Sequence, residues 1–290
     1  MIKSVALFGS DNGRVTVEFC THIVETLLSR NIEVFVHEKL IEKVKESSRK
    51  KVTSYCNIYH GNIRPDFVLS IGGDGTFLET ILQVRDTGIP IAGVNAGRLG
   101  FLANIHDDFE PSLEKLLNKK YTIISRNLIE LVEPHKIMGR SNVALNDITI
   151  QKSDLNMISI KVYVDDLHIN TYWADGLIVS TATGSTAYNL STGGPILTPE
   201  VDNIIISPLS PHNLAVRPII LPGSSKLKMV LSGRSPEYLV TCDFRSVRIP
   251  FFKELIIGQA PYKIKTVNLE GQDFFSTLRN KLMWGADARN

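Results

Sequence analysis

The chain has 290 residues, of which 43% are hydrophobic and 21% are charged, a composition typical of a soluble globular protein. Its 32 basic and 30 acidic residues leave a net charge of +2, which gives no whole-chain argument for binding nucleic acid or a membrane. The three cysteines are an odd number and lie far apart, so neither a disulfide framework nor a zinc cluster is predicted.

Hydropathy along the chain indicates no membrane segment and no leader. No stretch approaches the roughly 18 apolar residues that a membrane span requires. The first apolar run ends at Gly9 and is too short for a signal peptide. We therefore expect a cytoplasmic protein.

The first hundred residues alternate between strand-like and helix-like patterns. The predicted strands are Ser4–Phe8, Ile32–Val36, Asp66–Ile71 and Ile89–Val94. The predicted helices are Val15–Leu28, Glu38–Lys51 and Thr76–Arg85. Such alternation predicts a parallel sheet with helices on its faces, in which ligands bind beyond the carboxyl ends of the strands.

After about Tyr121 the pattern changes to many short strands separated by Pro, Gly, Asn and Asp, which is typical of an antiparallel sandwich. The predicted strands include Met157–Val164, Asn203–Ile206, Arg217–Leu221, Lys226–Leu231, Glu237–Thr241 and Glu254–Ile257. Asp273–Trp284 has helical spacing, and this final helix is expected to fold back on the first domain. The predicted fold class is α/β plus all-β. Its domains are residues 1–120, 121–268 and a helical tail over 269–290.

The stretch SIGGDGTFL, residues 70–78, joins a predicted strand to a predicted helix and places one acid among three glycines. Glycines let the backbone approach a ligand, and a helix N-terminus attracts phosphate. Asp74 would repel a phosphate unless it accepts a proton from an attacking hydroxyl or helps to hold Mg²⁺. The alternative is a simple helix cap. The motif is neither a P-loop nor a GxGxxG fingerprint.

The segment DGLIVSTATGSTAYNLSTGGP, residues 175–195, begins with a strand, LIVS, that is expected to be buried, and is rich in Ser, Thr and Gly from Ser180 to Gly194. It is either a turn-rich connection or a surface of hydroxyl and backbone donors for a polar ligand such as a ribose. Asp175, at the head of that strand, could accept a hydrogen bond from a ligand.

Two further clusters place polar residues next to predicted strands: the first directly follows a strand, and the second lies within strand-like surroundings. NAGRLGFL, residues 95–102, contains Asn95 and Arg98, which are candidates for ligand or domain-interface contacts. ALNDITI, residues 144–150, contains Asn146 and Asp147, which must be exposed, paired or facing a ligand. The candidates for phosphate or ATP contact are Gly72, Gly73, Gly75, Thr76, Asn95 and Arg98.

The motifs GGDGTFL, NAGRLGFL, NDITI and DGLIVSTATGSTAYNLSTGGPI, in this order, closely resemble those of the NAD kinase family. The resemblance covers most of the chain and is strongest between about Asp66 and Pro199. It implies an α/β nucleotide-binding domain joined to an all-β domain, with NAD in the cleft between them. It also implies transfer of the γ-phosphoryl group of ATP to the 2′-hydroxyl of the adenosine ribose of NAD, with a divalent metal ion, Mg²⁺ or Mn²⁺.

By the same resemblance, Asp74 corresponds to the catalytic acid of the family and would deprotonate the 2′-hydroxyl, with Gly75 beside the dinucleotide. Tyr188 is a candidate for stacking on a base. The other implied NAD contacts are Asn146, Asp147, Asp175, Thr186, Ala187, Asn189, Leu190 and Ser191. No residue is assigned as a metal ligand.

Three departures from the family pattern leave the details of NAD contact open. Trp173 and Arg245 replace the basic residue and the glutamine of many relatives, and both are included among the expected NAD contacts. Ala182 replaces a usual proline. The resemblance also implies a homodimer or homotetramer, and it leaves the preferred phosphoryl donor and the choice between NAD and NADH open. A lipid kinase and a non-catalytic dinucleotide sensor are the competing interpretations.

Overall fold

The computed structural model describes residues 2–9, 15–97, 100–103, 105, 109–139, 141–250 and 254–285, which form two compact units. The first unit consists of the described residues up to Ser125 together with those from Ile264 onward. The second unit is Arg126–Lys263. The chain therefore leaves the first unit once and returns to it.

The first unit contains a seven-stranded sheet. Its strands are β1 (Ser4–Gly9), β2 (Glu33–His37), β3 (Thr53–Tyr55), β4 (Phe67–Gly72), β5 (Ile91–Asn95), β6 (Tyr121–Arg126) and, near the end of the chain, Ile264–Leu269. The spatial order begins β3-β2-β1-β4-β5 with parallel neighbours. The strand Ile264–Leu269 pairs in parallel with β5, and β6 lies beyond it. This parallel sheet confirms the predicted α/β fold class.

The first unit also contains helices, some of which bury apolar side chains such as Leu27 and Leu113 in the core beside this sheet. The helices are α1 (Val17–Ser29), α2 (Glu38–Ile41), α3 (Glu46–Arg49), α4 (Asp74–Val84), α5 (Phe109–Leu117) and the final helix Phe274–Leu282. Helix α1 is capped by Thr16, whose hydroxyl accepts from the Phe19 N–H. The sequence predicted one helix over Glu38–Lys51, which is wrong. The chain breaks after α2 because Val44 turns into the core and the Lys45 N–H bonds to the Thr21 hydroxyl.

The second unit contains two six-stranded sheets. One has the spatial order β11 (Leu167–Ala174), β10 (Ile158–Val164), β15 (Leu227–Ser232), β18 (Leu255–Gln259), β7 (Ile129–Glu133), β8 (Val143–Ala144). The other has the order β14 (Ile219–Pro222), β13 (Asn203–Leu209), β12 (Gly176–Thr181), β9 (Asp147–Lys152), β16 (Glu237–Cys242), β17 (Arg245–Pro250). The unit also contains a 3₁₀ turn, Thr183–Thr186, and a short helix α6, Tyr188–Ser191.

The two sheets of the second unit share one hydrophobic core. Apolar side chains of β10 and β15, such as Ile160 and Met229, belong to the same buried cluster as Ile150 of β9 and Val179 of β12. Strand β10 pairs antiparallel with β15, and β9 pairs antiparallel with β12. This is the predicted sandwich-like arrangement.

The end of the chain departs from the predicted boundaries. The sequence assigned residues 264–268 to the β-rich domain, whereas β19 (Ile264–Leu269) completes the first sheet through its pairing with β5. The final helix α7 (Phe274–Leu282) follows it and belongs to the same unit. A strand that pairs with a partner far away in the sequence carries no local signal of which sheet it will join. No helix in the described part of the chain is long and apolar enough to cross a membrane.

Candidate active site

The glycine-rich turn joins the carboxyl end of β4 to α4. The helix begins at Asp74, two residues earlier than predicted, because the Phe77 N–H donates to the Gly73 carbonyl at 3.1 Å. Gly72 has φ +153°, and a Cβ there would lie 2.3 Å from the Thr76 Oγ1 atom. Only glycine suits this position, so Gly72 lets the chain turn over the buried Thr76 side chain.

Gly73 and Gly75 differ from Gly72 because a Cβ at either position would meet no atom within 4 Å. Their φ values are not in the left-handed region. Neither packing nor backbone strain therefore requires glycine at these two positions. The open space beside them leaves room for a ligand against the first turn of α4, where backbone N–H groups favour an anion.

Asp74 is held by its own unit through a ring of donors. Its Oδ1 atom accepts from the N–H groups of Leu102 at 3.0 Å and Ala103 at 3.1 Å. Its Oδ2 atom accepts from the Phe101 N–H at 3.0 Å and from the Lys281 ammonium at 3.2 Å. The carboxylate therefore has a defined orientation at the start of α4.

These donors decide the protonation state of Asp74. Burial works to raise the pKa of the Asp74 carboxyl, but the Lys281 ammonium and the N–H groups of the 101–103 segment outweigh it. The pKa therefore lies below its usual value, and the side chain is ionised at neutral pH. An ionised but weakly basic carboxylate can orient a hydroxyl and accept its proton late in a reaction.

Asn95, the last residue of β5, supports the 101–103 segment that binds Asp74. The buried Asn95 amide donates to the Ala103 carbonyl at 3.3 Å and accepts from the Gly97 N–H at 2.7 Å. Asn95 was expected to contact phosphate, and the structure gives its side chain this supporting role in the loop. Arg98, the other candidate in this segment, lies outside the described residues.

In the second unit, the Ser-, Thr- and Gly-rich segment, residues 175–195, has buried hydroxyls on one side and partly exposed residues on the other. The inner hydroxyls bond to the protein itself: Ser180 donates to the Asn146 carbonyl, Thr181 to the Leu145 carbonyl, and Ser185 to the Leu197 carbonyl. The expected ligand contacts that reach solvent, at least in part, are Thr186, Ala187, Tyr188, Leu190 and Ser191. The segment is therefore an ordered 3₁₀ turn and helix rather than a flexible connection.

Asn189 points inward, unlike its neighbours in this segment. Its side chain is buried, its amide donates to the carbonyls of Ser185 and Pro195, and its Oδ1 accepts from the Ser207 hydroxyl at 2.6 Å. A Cβ on Gly194 would lie 2.0 Å from that Oδ1 atom. The Asn189 side chain thus organises the segment internally, and its expected contact with NAD stays a prediction.

Asn146 and Asp147 lie where β9 begins, and a carboxylate from the β16–β17 turn orients them. The side chain of Asp243 accepts from the N–H groups of Leu145 at 2.9 Å and Asn146 at 2.8 Å. Burial raises the pKa of Asp243 against the effect of these hydrogen bonds and of Arg245. The sequence did not single out Asp243, because its partners are about a hundred positions away along the chain.

Asp147 is a buried acid, only 6% exposed. Its Oδ1 atom accepts from the Thr149 hydroxyl at 2.9 Å. Burial, helped by the nearby Asp243 charge, raises the pKa of Asp147 to about 6, although the Thr149 hydrogen bond opposes the shift. The acid is therefore ionised at neutral pH at a cost to folding, which a ligand donor could reduce.

Replacing Asp147 by Asn should stabilise the protein at high pH. The pKa of Asp147 in the folded protein, about 6, lies above the ordinary value of 3.8. The stability contributed by the protonated acid is therefore fully present below pH 3.8 and is lost as the pH rises through 6. At about pH 8 we expect D147N to exceed the wild type in unfolding free energy by about 2–3 kcal/mol. Near pH 4 the gain should nearly vanish.

Urea unfolding of D147N and the wild type at both pH values measures this difference in unfolding free energy. D166N, at an exposed aspartate, is the control. A gain that is equal at both pH values would contradict this account.

Trp173 and Asp175 line a groove of about 600 Å³ in the second unit, together with Lys152, Met157 and His212. Trp173 is 53% exposed. Asp175 forms an ion pair with Lys152, with its Oδ1 atom 2.7 Å from the ammonium. The two expected contacts thus share one accessible groove.

Tyr188 and Arg245 have different surroundings. The Tyr188 hydroxyl accepts a hydrogen bond from the Gln151 amide at 3.3 Å. The Tyr188 side chain is otherwise exposed. The Arg245 guanidinium bonds to the carbonyls of Ser141 and Val143. Arg245 therefore ties two backbone segments together, and its expected contact with NAD stays a prediction.

The described residues contain no group of three or more His, Cys, Asp or Glu side chains that could hold a metal ion. The carboxylate nearest the glycine turn, Asp74, already has an ammonium against Oδ2. These residues do not form a protein cage for a divalent cation.

A parallel α/β sheet with a glycine-rich turn between a strand's carboxyl end and a helix N-terminus indicates the class of nucleotide-binding proteins. Comparison with known families agrees. Residues 5–121 match the ATP-NAD kinase N-terminal domain, and residues 145–269 match the ATP-NAD kinase C-terminal domain. The chain belongs to the NAD kinase family, which confirms the resemblance that its motifs indicated.

Individual relatives cover nearly the whole chain. The NAD kinase of Flavobacterium psychrophilum is 41% identical over 99% of both chains, and that of Bacteroides fragilis is 38% identical over 98% of this chain and 99% of its own. Two solved structures share the fold. Yeast NADH kinase, complexed with NADH, has a TM-score of 0.86 at 20% identity and covers 99% of this chain and 89% of its own. An NAD kinase from Archaeoglobus fulgidus, in complex with ATP, has a TM-score of 0.73 at 23% identity, covering 95% and 98%.

Proposed function

We propose that this chain carries out the reaction of its family, transfer of the γ-phosphoryl group of ATP to the 2′-hydroxyl of the adenosine ribose of NAD, with Asp74 as the proton acceptor. The products are NADP and ADP. The observation that carries the role of Asp74 is its position: an ionised, oriented carboxylate in the first turn of α4, beside two glycines that face open space. This arrangement supports phosphate binding and hydroxyl activation at one place.

The proposed step conserves atoms and charge. The 2′-hydroxyl oxygen attacks the γ-phosphorus, and the bond from that phosphorus to the bridging oxygen breaks, so ADP leaves. The proton of the hydroxyl passes to Asp74 and then to solvent. Because such transition states are loose, the proton moves late, and an oriented anion serves better than a strong base. The lowered pKa of Asp74 is consistent with that role.

Phosphate contacts are proposed at the first turn of α4. A Cβ on Gly73 or Gly75 would meet open space, which leaves room for a phosphate at this helix N-terminus, and Gly72 and Thr76 shape the turn. Asn95 is proposed to act indirectly, through its hydrogen bonds to Ala103 and Gly97. Arg98 stays a proposed ATP contact on the strength of the motif alone.

NAD binding is proposed to use residues of the second unit as well. Asp147 and Asp175 would accept hydrogen bonds from amide or hydroxyl groups of NAD, and Tyr188 would stack on a base. Asn146 and Trp173 are proposed as neighbouring contacts. The remaining proposed contacts are Thr186, Ala187, Asn189, Leu190, Ser191 and Arg245.

The divalent metal, Mg²⁺ or Mn²⁺, is proposed to enter with ATP as part of the substrate. Mg²⁺ bound to nucleotides keeps several waters and is held largely by phosphate oxygens. A homodimer or homotetramer and a cytoplasmic location also stay proposals. No nucleic-acid or membrane partner is proposed.

The test is an assay of the purified full chain with ATP, Mg²⁺ and NAD, in which an NADP-specific dehydrogenase reports the product. We expect NADP to form at a rate that depends on all three components. A protein that forms no NADP but still melts at a higher temperature with NAD would be a dinucleotide sensor instead. A protein that neither binds nor phosphorylates NAD would overturn the proposal and return attention to lipid substrates.

A further inference from the structure

The final helix supplies a cation to the candidate catalytic acid. The Lys281 ammonium lies 3.2 Å from the Asp74 Oδ2 atom, although the two residues are 207 positions apart in the sequence. The same ammonium lies 4.5 Å from the centroid of the Phe101 ring, a distance at which a cation is attracted to the ring face. Lys281 therefore touches both the acid and the loop that binds it.

Packing and capping fix the position of helix α7, and with it the contact between Lys281 and Asp74. Leu278 is buried, and the ring of Phe274 lies 6.4 Å from the ring of Phe101. The Asp273 carboxylate caps the helix by accepting from the Ser276 N–H at 2.8 Å. Lys281 lies near the end of this capped helix, and its side chain reaches back over Phe101 to Asp74.

The ion pair between Lys281 and Asp74 should orient the carboxylate more than it stabilises the fold. Both side chains are about a third exposed, at 31% for Lys281 and 30% for Asp74, and exposed ion pairs add little to stability. The Oδ1 atom of Asp74 is held by two backbone N–H groups, whereas Oδ2 has one backbone N–H and the ammonium. Lys281 is thus the one side-chain donor to this carboxylate among the described contacts, and its removal would leave Oδ2 held from one side.

We propose that Lys281 is a positioning residue for Asp74, whose ammonium keeps the carboxylate turned toward the position of the ribose hydroxyl. This inference rests on the proposed role of Asp74. The ammonium opposes protonation of Asp74 in the ground state, which suits a reaction in which the proton moves late. Because Lys281 acts through Asp74, its loss would slow the chemical step more than it would weaken binding of either substrate.

The experiment compares K281M, which keeps most of the length of the side chain without its charge, with K281R, which keeps the charge. We expect K281M to lower kcat for NADP formation about 10- to 100-fold, the size of effect that a misplaced catalytic group causes. The KM values for NAD and ATP should stay within about twofold of the wild type if only the chemical step is affected. K281R should recover part of kcat. R279M, on the same helix and exposed, is the matched control and should keep wild-type kcat.

Two further measurements separate positioning from a structural role. Added ethylamine should raise the activity of K281A, whereas ethanol should not, because only the amine restores a cation beside Oδ2. The double variant D74N/K281M should be no slower than D74N alone, since Lys281 acts through Asp74. Melting temperatures of all variants are measured alongside.

The outcomes are distinct. Wild-type kcat in K281M would overturn the inference and leave the contact as a surface ion pair. A K281M protein with a lowered melting temperature, lowered kcat in K281R and no rescue of K281A by amine would also overturn it, in favour of a role in helix packing. If D74N itself kept wild-type kcat, the proposed role of Asp74 would fail first, and any slowing in K281M would then have another cause.

Discussion

Asp74→Asn should lower kcat for NADP formation about 10²- to 10⁴-fold, the usual contribution of a positioned general base. Asparagine has nearly the same shape as aspartate but cannot accept the proton of the 2′-hydroxyl. It also loses the negative charge to which Lys281 and the N–H groups of the 101–103 segment donate. We therefore expect some loss of thermal stability as well, because a neutral amide cannot accept at both positions.

The kinetic effect is separated from the folding effect by measuring activity well below the melting temperature of the variant. NAD binding to D74N is measured by titration and should persist, since other residues are proposed to make most of the NAD contacts. D86N, an exposed aspartate after α4, is the matched control and should keep wild-type kcat. A folded D74N that forms NADP at the wild-type rate would remove Asp74 from the mechanism.

Gly100→Ala should also abolish most activity, although Gly100 carries no reactive group. A Cβ at this position would lie 2.0 Å from the Asp74 Oδ1 atom and 2.8 Å from its Cγ atom. The carboxylate is the end of a side chain and can rotate away, so the fold should survive. It would then give up its hydrogen bonds to the Leu102 and Ala103 N–H groups, and a displacement of this size can cost about 10²-fold in rate.

The control for G100A is G258A, because a Cβ on Gly258 would meet its nearest atom, a Val132 methyl, at an ordinary 3.8 Å. Activity and melting temperature of G258A should change little. For G100A we expect a lower kcat and a melting temperature reduced by the lost hydrogen bonds to a charged group, each of which contributes about 1.5–3 kcal/mol. Unchanged activity in G100A would mean that the orientation of Asp74 seen here is not the one that matters.

The local motifs predicted a large part of this molecule. The turn around Asp74, the strand–helix alternation of the first hundred residues and the change to short strands after Tyr121 could be identified from the sequence, whereas the break in Glu38–Lys51 and the strand Thr53–Tyr55 could not. The identified features depend on periodicity and on turn residues that are neighbours along the chain. The family assignment rests on the same local information and is confirmed.

Other features could not be predicted because they depend on contacts between distant segments. Asn189 stands in a run of expected ligand contacts, yet its side chain points into the sandwich and bonds to Ser207. Asp243 was not singled out, yet it orients Asn146. Neither the inward direction of the Asn189 side chain nor the hydrogen bond that Asp243 accepts follows from the residue type or from its spacing.

The sequence by itself determined the fold class, the family and the candidate acid, because each is encoded in short stretches whose meaning is local. Only the tertiary structure decided which side chains surround that acid. The clearest case is Lys281, which lies in a helix at the other end of the chain and reaches Asp74 because β19 returns to the first sheet. The orientation and the pKa of a carboxylate depend on the donors and charges within a few ångströms of it, and those neighbours are chosen by the folded chain.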